Sequence, residues 1–243
     1  GGSACPPAMI KLFQEKYGVH VLHAWGMTEM SPLGTTCTFK HKHSDWSPDE
    51  RLPVQYKQGR ALFGVDMKIV DDAGADLPWD GVAFGNLLVR GPWVVREYFN
   101  SGEKPLRDDG QGRQWFPTGD VSTIDADGYM RITDRTKDVI KSGGEWISSI
   151  EIENIAVSHP AVQMAACIAA AHPKWDERPL LVVVKKPDAR VTREEMLAYY
   201  QGRVAKWQVP DDVVFVESLP LGATGKILKT KLRDQFRDHR LPA

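Results

Sequence analysis

Cysteine is too scarce and too scattered in this 243-residue chain to build a framework. Cys5, Cys37 and Cys167 are odd in number, far apart and free of C-x-x-C spacing, which argues against a disulfide scaffold and against a zinc site. A reducing cytoplasm is the location this fits. An excess of either charge is also missing: 31 Lys+Arg stand against 32 Asp+Glu, a formal net charge of -1. Bulk charge therefore gives no reason to expect a nucleic-acid partner, and any anion site has to be local. No apolar run approaches the roughly 18 residues of a membrane span, and the first residues lack the basic-then-apolar pattern of a secretory signal. The chain reads as soluble, without a transmembrane segment. The histidines, His20, His23, His41, His43, His159, His172 and His239, show no metal-ligand spacing beyond the surface pair His41/His43. There is no internal repeat. What remains is an ordinary hydrophobic content of 42% and a length that suits two modest domains.

Pro6-Pro7 opens an apolar run of helical spacing from Met9 to Tyr17, and Gly18 stops it. Val19 to Ala24 reads as a buried strand, and the polar stretch between His41 and Lys57 as a long surface loop. Short apolar runs then alternate with turn dipeptides: 65–70, 86–89 and 121–124, with 129–133 closing a hairpin across Asp127-Gly128. After Asp134 the pattern becomes α+β. A strand at 138–140, a helix at 148–158, strands at 162–169 and 180–185, a helix at 193–206 and a strand at 213–216 follow in order. Thr192 with Glu195 is a capping box for that second helix. The change of pattern places a domain boundary near Asp134.

Four clusters carry chemistry. Gly26-Met27-Thr28-Glu29 follows a strand, where backbone amides and a hydroxyl can meet a phosphate and one carboxylate can reach a metal. Magnesium commonly takes only one or two protein carboxylates, so a lone Glu suffices; the same tetrapeptide also serves as an ordinary strand-to-loop turn. Asp120, after Thr118-Gly119, is either the end of a turn or a carboxylate able to accept from both hydroxyls of a ribose. Gly143-Gly144 offers bare backbone that can line a narrow passage. Thr224-Gly225-Lys226 has a glycine-lysine pair but is no P-loop, because Pro220 stands where the first glycine is required and Ile227 where Ser or Thr is. Taken alone, Lys226 reads as a solvated lysine in the first turn of a C-terminal helix.

Trp115-Phe-Pro-Thr-Gly-Asp120, Asp134-Arg135-Thr-Lys137-Asp138, Gly143-Gly144 with Glu151-Ile-Glu153, and Gly225-Lys226, with Gly26-Met-Thr-Glu29 upstream, together resemble the adenylate-forming superfamily. The resemblance covers essentially the whole chain and implies only the back half of such an enzyme. It implies an α+β fold: a β-rich tail of a large adenylation domain over 1–134, then a small mobile C-terminal domain over 135–243 with its hinge at 134–137, on Lys137. It gives Thr28 a phosphate, Glu29 the Mg²⁺, Trp25 the adenine face, and the Gly1-Gly2-Ser3-Ala4 segment the other side of that base. Asp120 and Arg135 would hold the ribose and its linkage, Lys226 would be the adenylation lysine, and Gly143, Gly144, Glu145 and Trp146 would line the path of CoA. Leu221-Gly222 departs from the basic residue and threonine that relatives often carry there.

The implied activity is an AMP-forming acid–CoA ligase acting on a short- to medium-chain fatty acid. Its ligands would be ATP, Mg²⁺, CoA and a small carboxylic acid, with AMP as product; a homodimer is left open. Lys137 and Gly143-Gly-Glu-Trp146 lean toward fatty-acyl ligases, while Trp25-Gly-Met-Thr-Glu-Met-Ser-Pro32 resembles the subgroup acting on alkanoates and methylthio-propionate. Aryl-CoA ligases, luciferase-like oxidases and peptide-synthetase adenylation domains are the alternatives within the class. A non-catalytic nucleotide-binding module is the alternative outside it.

Overall fold

The computed structural model describes residues 5–223 and 225–242, which form two compact units, Cys5–Thr136 and a second beginning at Lys137. The expected base-covering residues Gly2, Ser3 and Ala4 lie outside the described residues. Among those described, no helix is long and apolar enough to cross a membrane.

The first unit opens with α1, Pro7–Tyr17, begun by its N-terminal proline and ended by Gly18 in the left-handed conformation. Only Ile10 of this helix is buried; Met9, Leu12, Phe13 and Tyr17 stay exposed. The strand expected over 19–24 is absent. Val19 and Leu22 are exposed, and β1 is the short Ala24–Gly26, paired antiparallel with β2, Leu33–Thr36. The loop expected over 41–57 contains a 3₁₀ turn at His41–His43 and a helix, α2, Pro48–Gln55. Ser47 and Glu50 form its capping box, and Pro48 takes the first helical position, where a missing N–H is harmless. β3, Arg60–Ala61, completes the sheet begun by β1 and β2.

A second antiparallel sheet follows: β4, Asp66–Val70; β5, Phe84–Arg90; β6, Arg107–Asp108; β7, Gln114–Ile124; and β8, Met130–Arg135. Its order is β4-β5-β7-β6, with β8 also on β7. β7 begins well before the expected strand at 121 and serves as the common partner. Its hairpin with β8 turns at Asp125–Gly128, where Asp125 Oδ1 accepts the N–H groups of Asp127 and Tyr129 at 2.9 and 3.0 Å.

In the second unit β9, Ile140–Ser142, and β10, Glu145–Ile147, form a hairpin; β9 starts two residues later than the sequence suggests, and β10 was not expected. After α3, Ser149–Ser158, come the long antiparallel partners β11, Val162–His172, and β12, Asp176–Lys185. α4, Arg193–Tyr199, is half the expected length, and β13, Asp212–Phe215, runs parallel to β12. The last helix, α5, is Lys229–Gln235.

The near-continuous apolar runs of β11 and β12 reflect burial on both faces. Side chains alternate across a strand, so Ala165, Cys167, Leu181 and Val183 meet Ile152 and Ala156 of α3 and Met196 of α4. Ala166, Ile168, Leu180 and Val182 face the other way and pack with Leu219 and with Leu232 of α5. Ile152→Ala and Leu232→Ala are expected to destabilise this unit by about 2–4 kcal/mol each. Because the two fill opposite sides of the sheet, their effects should add, as read from shifts in the unit's urea midpoint; strong coupling would show that the two layers are one core.

Candidate functional site

One polar group of the first unit centres on Asp120. Register places Asp120 of β7 directly opposite Arg135 of β8, where side chains on one sheet face are neighbours. Arg135 Nε lies 2.8 Å from Asp120 Oδ1, and the Trp25 indole N–H donates to Oδ2 at 2.9 Å. The Asp120 N–H donates to Thr118 Oγ1, whose hydroxyl donates to the Leu87 carbonyl, so the backbone at this point is fixed as well. Asp120 is 3% exposed, whereas the Arg135 side chain is 40% exposed. Arginine is thus the outer, more exposed partner of a buried carboxylate.

Trp25 departs from expectation. The ring is 8% exposed and belongs to the core with Met30, Phe116 and Met130, so it leaves little face free for a base. Its polar edge acts on Asp120 instead. The turn after it depends on Gly26, because a Cβ there would sit 2.0 Å from the Pro32 carbonyl oxygen, which accepts the Met27 N–H at 2.7 Å. Thr28–Met30 form a 3₁₀ turn with Thr28 exposed and Glu29 half-buried. The Glu29 carbonyl accepts the Val95 N–H, and its Oε1 accepts the Tyr98 phenol O–H at 3.0 Å. Burial, and then the bond to Glu29, pushes the Tyr98 phenol above its ordinary pKa, which keeps it a donor. Oε2 has no protein partner among the described residues, which suits one carboxylate oxygen of a water- and phosphate-filled magnesium shell. No group of three or more His, Cys, Asp or Glu side chains among the described residues could form a metal site of its own. Tyr98 was not foreseen, since nothing in the sequence links it to a residue 69 positions earlier.

The second unit carries two features. Gly143 and Gly144 are the tip of the β9–β10 hairpin, both with positive φ, as a two-residue turn of this kind requires. The Gly143 N–H donates to the Trp175 carbonyl at 2.9 Å, and a Cβ on Gly143 would lie 2.6 Å from the Trp175 ring. Trp175 is 41% exposed with the Lys174 ammonium 4.4 Å from its ring centroid, and Lys141 stands 4.9 Å over Trp146. Gly143, Gly144 and Glu145 are exposed, so the hairpin tip is a bare backbone edge beside an indole and two cations. Trp175 was missed because it belongs to the distant β11–β12 turn.

Lys226 is not in a helix. It lies three residues before α5, in a turn where the Gly222 N–H donates to the Lys226 carbonyl at 2.8 Å and Leu221 bridges antiparallel to Ile227. Lys226 is exposed. Lys137, also exposed, is the first residue of the second unit.

Comparison with known proteins identifies the family. The AMP-binding enzyme model matches residues 1–99, and the AMP-binding enzyme C-terminal domain model matches 151–226. A 3-methylmercaptopropionyl-CoA ligase of Ruegeria lacuscaerulensis is 58% identical over 98% of this chain and 43% of its own length. A medium-chain-fatty-acid–CoA ligase of Ectopseudomonas oleovorans is 55% identical over the same shares. The ATP-bound crystal structure of MatB from Rhodopseudomonas palustris superposes with a TM-score of 0.79 at 31% identity, covering 96% of this chain and 44% of that one. The chain thus spans less than half the length of the relatives it matches. With both family models on it in order, and an α+β architecture shared with solved adenylate-forming proteins, the chain belongs to the AMP-binding enzyme family.

Proposed function

We propose that these residues serve an AMP-forming acid–CoA ligase, with the first unit holding the nucleotide and the second alternating between two half-reactions about Lys137. The observation that carries this reading is the Asp120–Arg135 pair, a buried carboxylate that accepts the Trp25 indole N–H and faces a partly exposed arginine. A carboxylate is acceptor-only, with about four lone-pair positions, so Asp120 has the chemistry to accept from two ribose hydroxyls. Binding a nucleotide would draw Arg135 outward onto the sugar–phosphate linkage and uncover Asp120.

In the first half-reaction a carboxylate oxygen of the acid bonds to the α-phosphorus and the bond to the bridging oxygen breaks, releasing pyrophosphate. Negative charge builds on the α-phosphoryl oxygens as this occurs. An ammonium placed there stabilises the transition state more than the ground state, and Lys226, exposed on a closed turn, is the residue suited to that task. Thr28 would donate to a phosphate oxygen, and Glu29, oriented by Tyr98, would hold Mg²⁺. When bound, the cation would neutralise charge on the leaving group. In the second half-reaction the CoA sulfur bonds to the acyl carbon, the acyl–phosphate oxygen bond breaks, AMP leaves and the thiol proton passes to solvent. Gly143-Gly144, which keep side chains out of the way, together with Trp175 and Lys174, suit a slender pantetheine arm followed by an aromatic, anionic nucleotide.

The substrate class we favour is a short- to medium-chain alkanoate or its methylthio analogue, supported by the relatives and by the sequence from Trp25 to Pro32. Retention of Lys226, Asp120 and Arg135 together speaks against a module that only senses nucleotides.

In a ligase of the relatives' length that carries these residues, Lys226→Ala should lower acyl-adenylate formation by about 10²-fold or more. Thioester formation from supplied acyl-adenylate should be largely spared. Pyrophosphate exchange and CoA-dependent adenylate consumption separate the two, and equal losses would reject the role. Asp120→Ala should weaken ATP and AMP together, because both present the same sugar. Calorimetric titration of the folded variant with AMP measures this, and unchanged affinity would count against the ribose assignment. The 243-residue chain by itself should fold yet make no acyl-CoA when mixed with ATP, Mg²⁺, CoA and C3 to C12 acids, because no Gly/Ser/Thr-rich phosphate loop is found in its sequence. Without that loop the orientation advantage, of order 7–11 kcal/mol, is lost. Robust AMP release would show that residues discounted above rebuild the phosphate site.

A further inference from the structure

α5 is a weak helix by its own chemistry. It has seven residues, no side-chain cap at Leu228 and no acidic residue in its first turn, and it begins with Lys229 followed closely by Lys231. Cations at that end oppose the helix dipole. A helix so composed is held by what it touches, and its contacts are specific. Lys229 Nζ lies 2.6 Å from Glu153 Oε1 of α3 and donates to Ser149 Oγ, also at 2.6 Å. The same Glu153 oxygen accepts the Cys167 N–H of β11 at 2.8 Å. One turn later, on the same face of α5, Arg233 Nη1 lies 2.9 Å from Asp138 Oδ1. The Lys229 and Glu153 side chains are 12% and 17% exposed, so this pair is largely shielded from solvent screening.

These contacts reach Lys226 through a short, closed path. Only Ile227 and Leu228 separate it from Lys229. Ile227 is bridged to Leu221, and the Leu228 N–H donates to the Pro220 carbonyl at 2.8 Å. Movement at Lys229 is therefore passed to the turn rather than absorbed by slack chain. Asp138 directly follows Lys137, so the second ion pair ties the same helix to the segment where the two units join.

We propose that Lys229 and Arg233 are positioning residues for Lys226. Their ion pairs with Glu153 and Asp138 fix α5 and with it the angle and reach of the Lys226 turn, so that the ammonium meets the α-phosphate without a search. The proposal rests on the adenylation role given to Lys226 above. It assigns no ligand contact to Lys229 or Arg233.

The test compares Lys229→Met, Lys229→Arg, Lys226→Ala and the Lys226→Ala/Lys229→Met double variant in the same full-length ligase. Glu153→Gln, which keeps the shape and an acceptor for the Cys167 amide, stands in should Lys229→Met fail to fold. A misplacement of about 1 Å can cost on the order of 10²-fold in rate. Lys229→Met should accordingly lower the adenylation kcat by about 10- to 100-fold with the KM for ATP little changed. Thioester formation from supplied acyl-adenylate should stay within about threefold, and Lys229→Arg should restore most of the loss. Added to Lys226→Ala, the methionine should cost adenylation almost nothing more, since residues acting as a unit are not additive. Unaltered adenylation beside a crippled Lys226→Ala would overturn the positioning role alone, as would equal loss in both half-reactions or an additive double variant. If Lys226→Ala itself adenylates normally, the reading of Lys226 fails and the positioning role falls with it.

Discussion

The first unit is organised about one desolvated carboxylate. An Asp buried as deeply as Asp120 needs donors for its charge, and the chain supplies them from two directions, the Trp25 indole and the Arg135 guanidinium. Satisfying both fixes the register of β7 on β8 and holds the end of β1 beside them. The glycine after Trp25 and the 3₁₀ turn that presents Thr28 and Glu29 follow directly from where that strand ends. The polar site and the packing of the unit are therefore one arrangement.

The second unit solves a different problem. Its sheet is apolar on both faces, so helices have to cover each, and the residues with chemical potential are left at the rims: a glycine hairpin at one place and a lysine turn at another. Rim turns are where backbone can be bare and a side chain free while the sheet supplies rigidity. The glycines and Lys226 use this in opposite ways, one by removing side chains and the other by extending a single one.

Local signals were readable in the sequence wherever neighbours along the chain decide the structure. Asp127-Gly128 marked the β7–β8 turn, Pro7 and Gly18 bracketed α1, and Thr192 with Glu195 began α4. Asp120 and Arg135 could be suspected of meeting because a hairpin joins them. Where the reading went astray, a signal was usually present but outweighed. Ser47 and Glu50 cap α2 within a stretch whose polarity reads as loop, and Gly202 with positive φ lies just beyond the early end of α4. Val19 to His23 has strand-like residues but pairs only at its end, since a strand needs a partner that composition does not reveal. The contacts that define the sites, Trp25 with Asp120, Tyr98 with Glu29 and Gly143 with Trp175, join residues 95, 69 and 32 positions apart. No local pattern encodes such pairs.

The Arg233–Asp138 pair closes a loop of 95 residues, and this bears on how the second unit is made. β11 and β12 leave the ribosome before α5, because they precede it in the chain. Until α5 arrives, the face bearing Ala166, Ile168, Leu180 and Val182 lacks Leu232 and the covering it anchors. Such a sheet is both incomplete and adhesive. The helix that carries Leu232 is short and lacks a side-chain cap, and its Lys229 and Arg233 meet charges set out on Glu153 and Asp138. Electrostatic attraction acts beyond contact range, so these two acids can guide the helix to one orientation among the several that hydrophobic burial alone would permit.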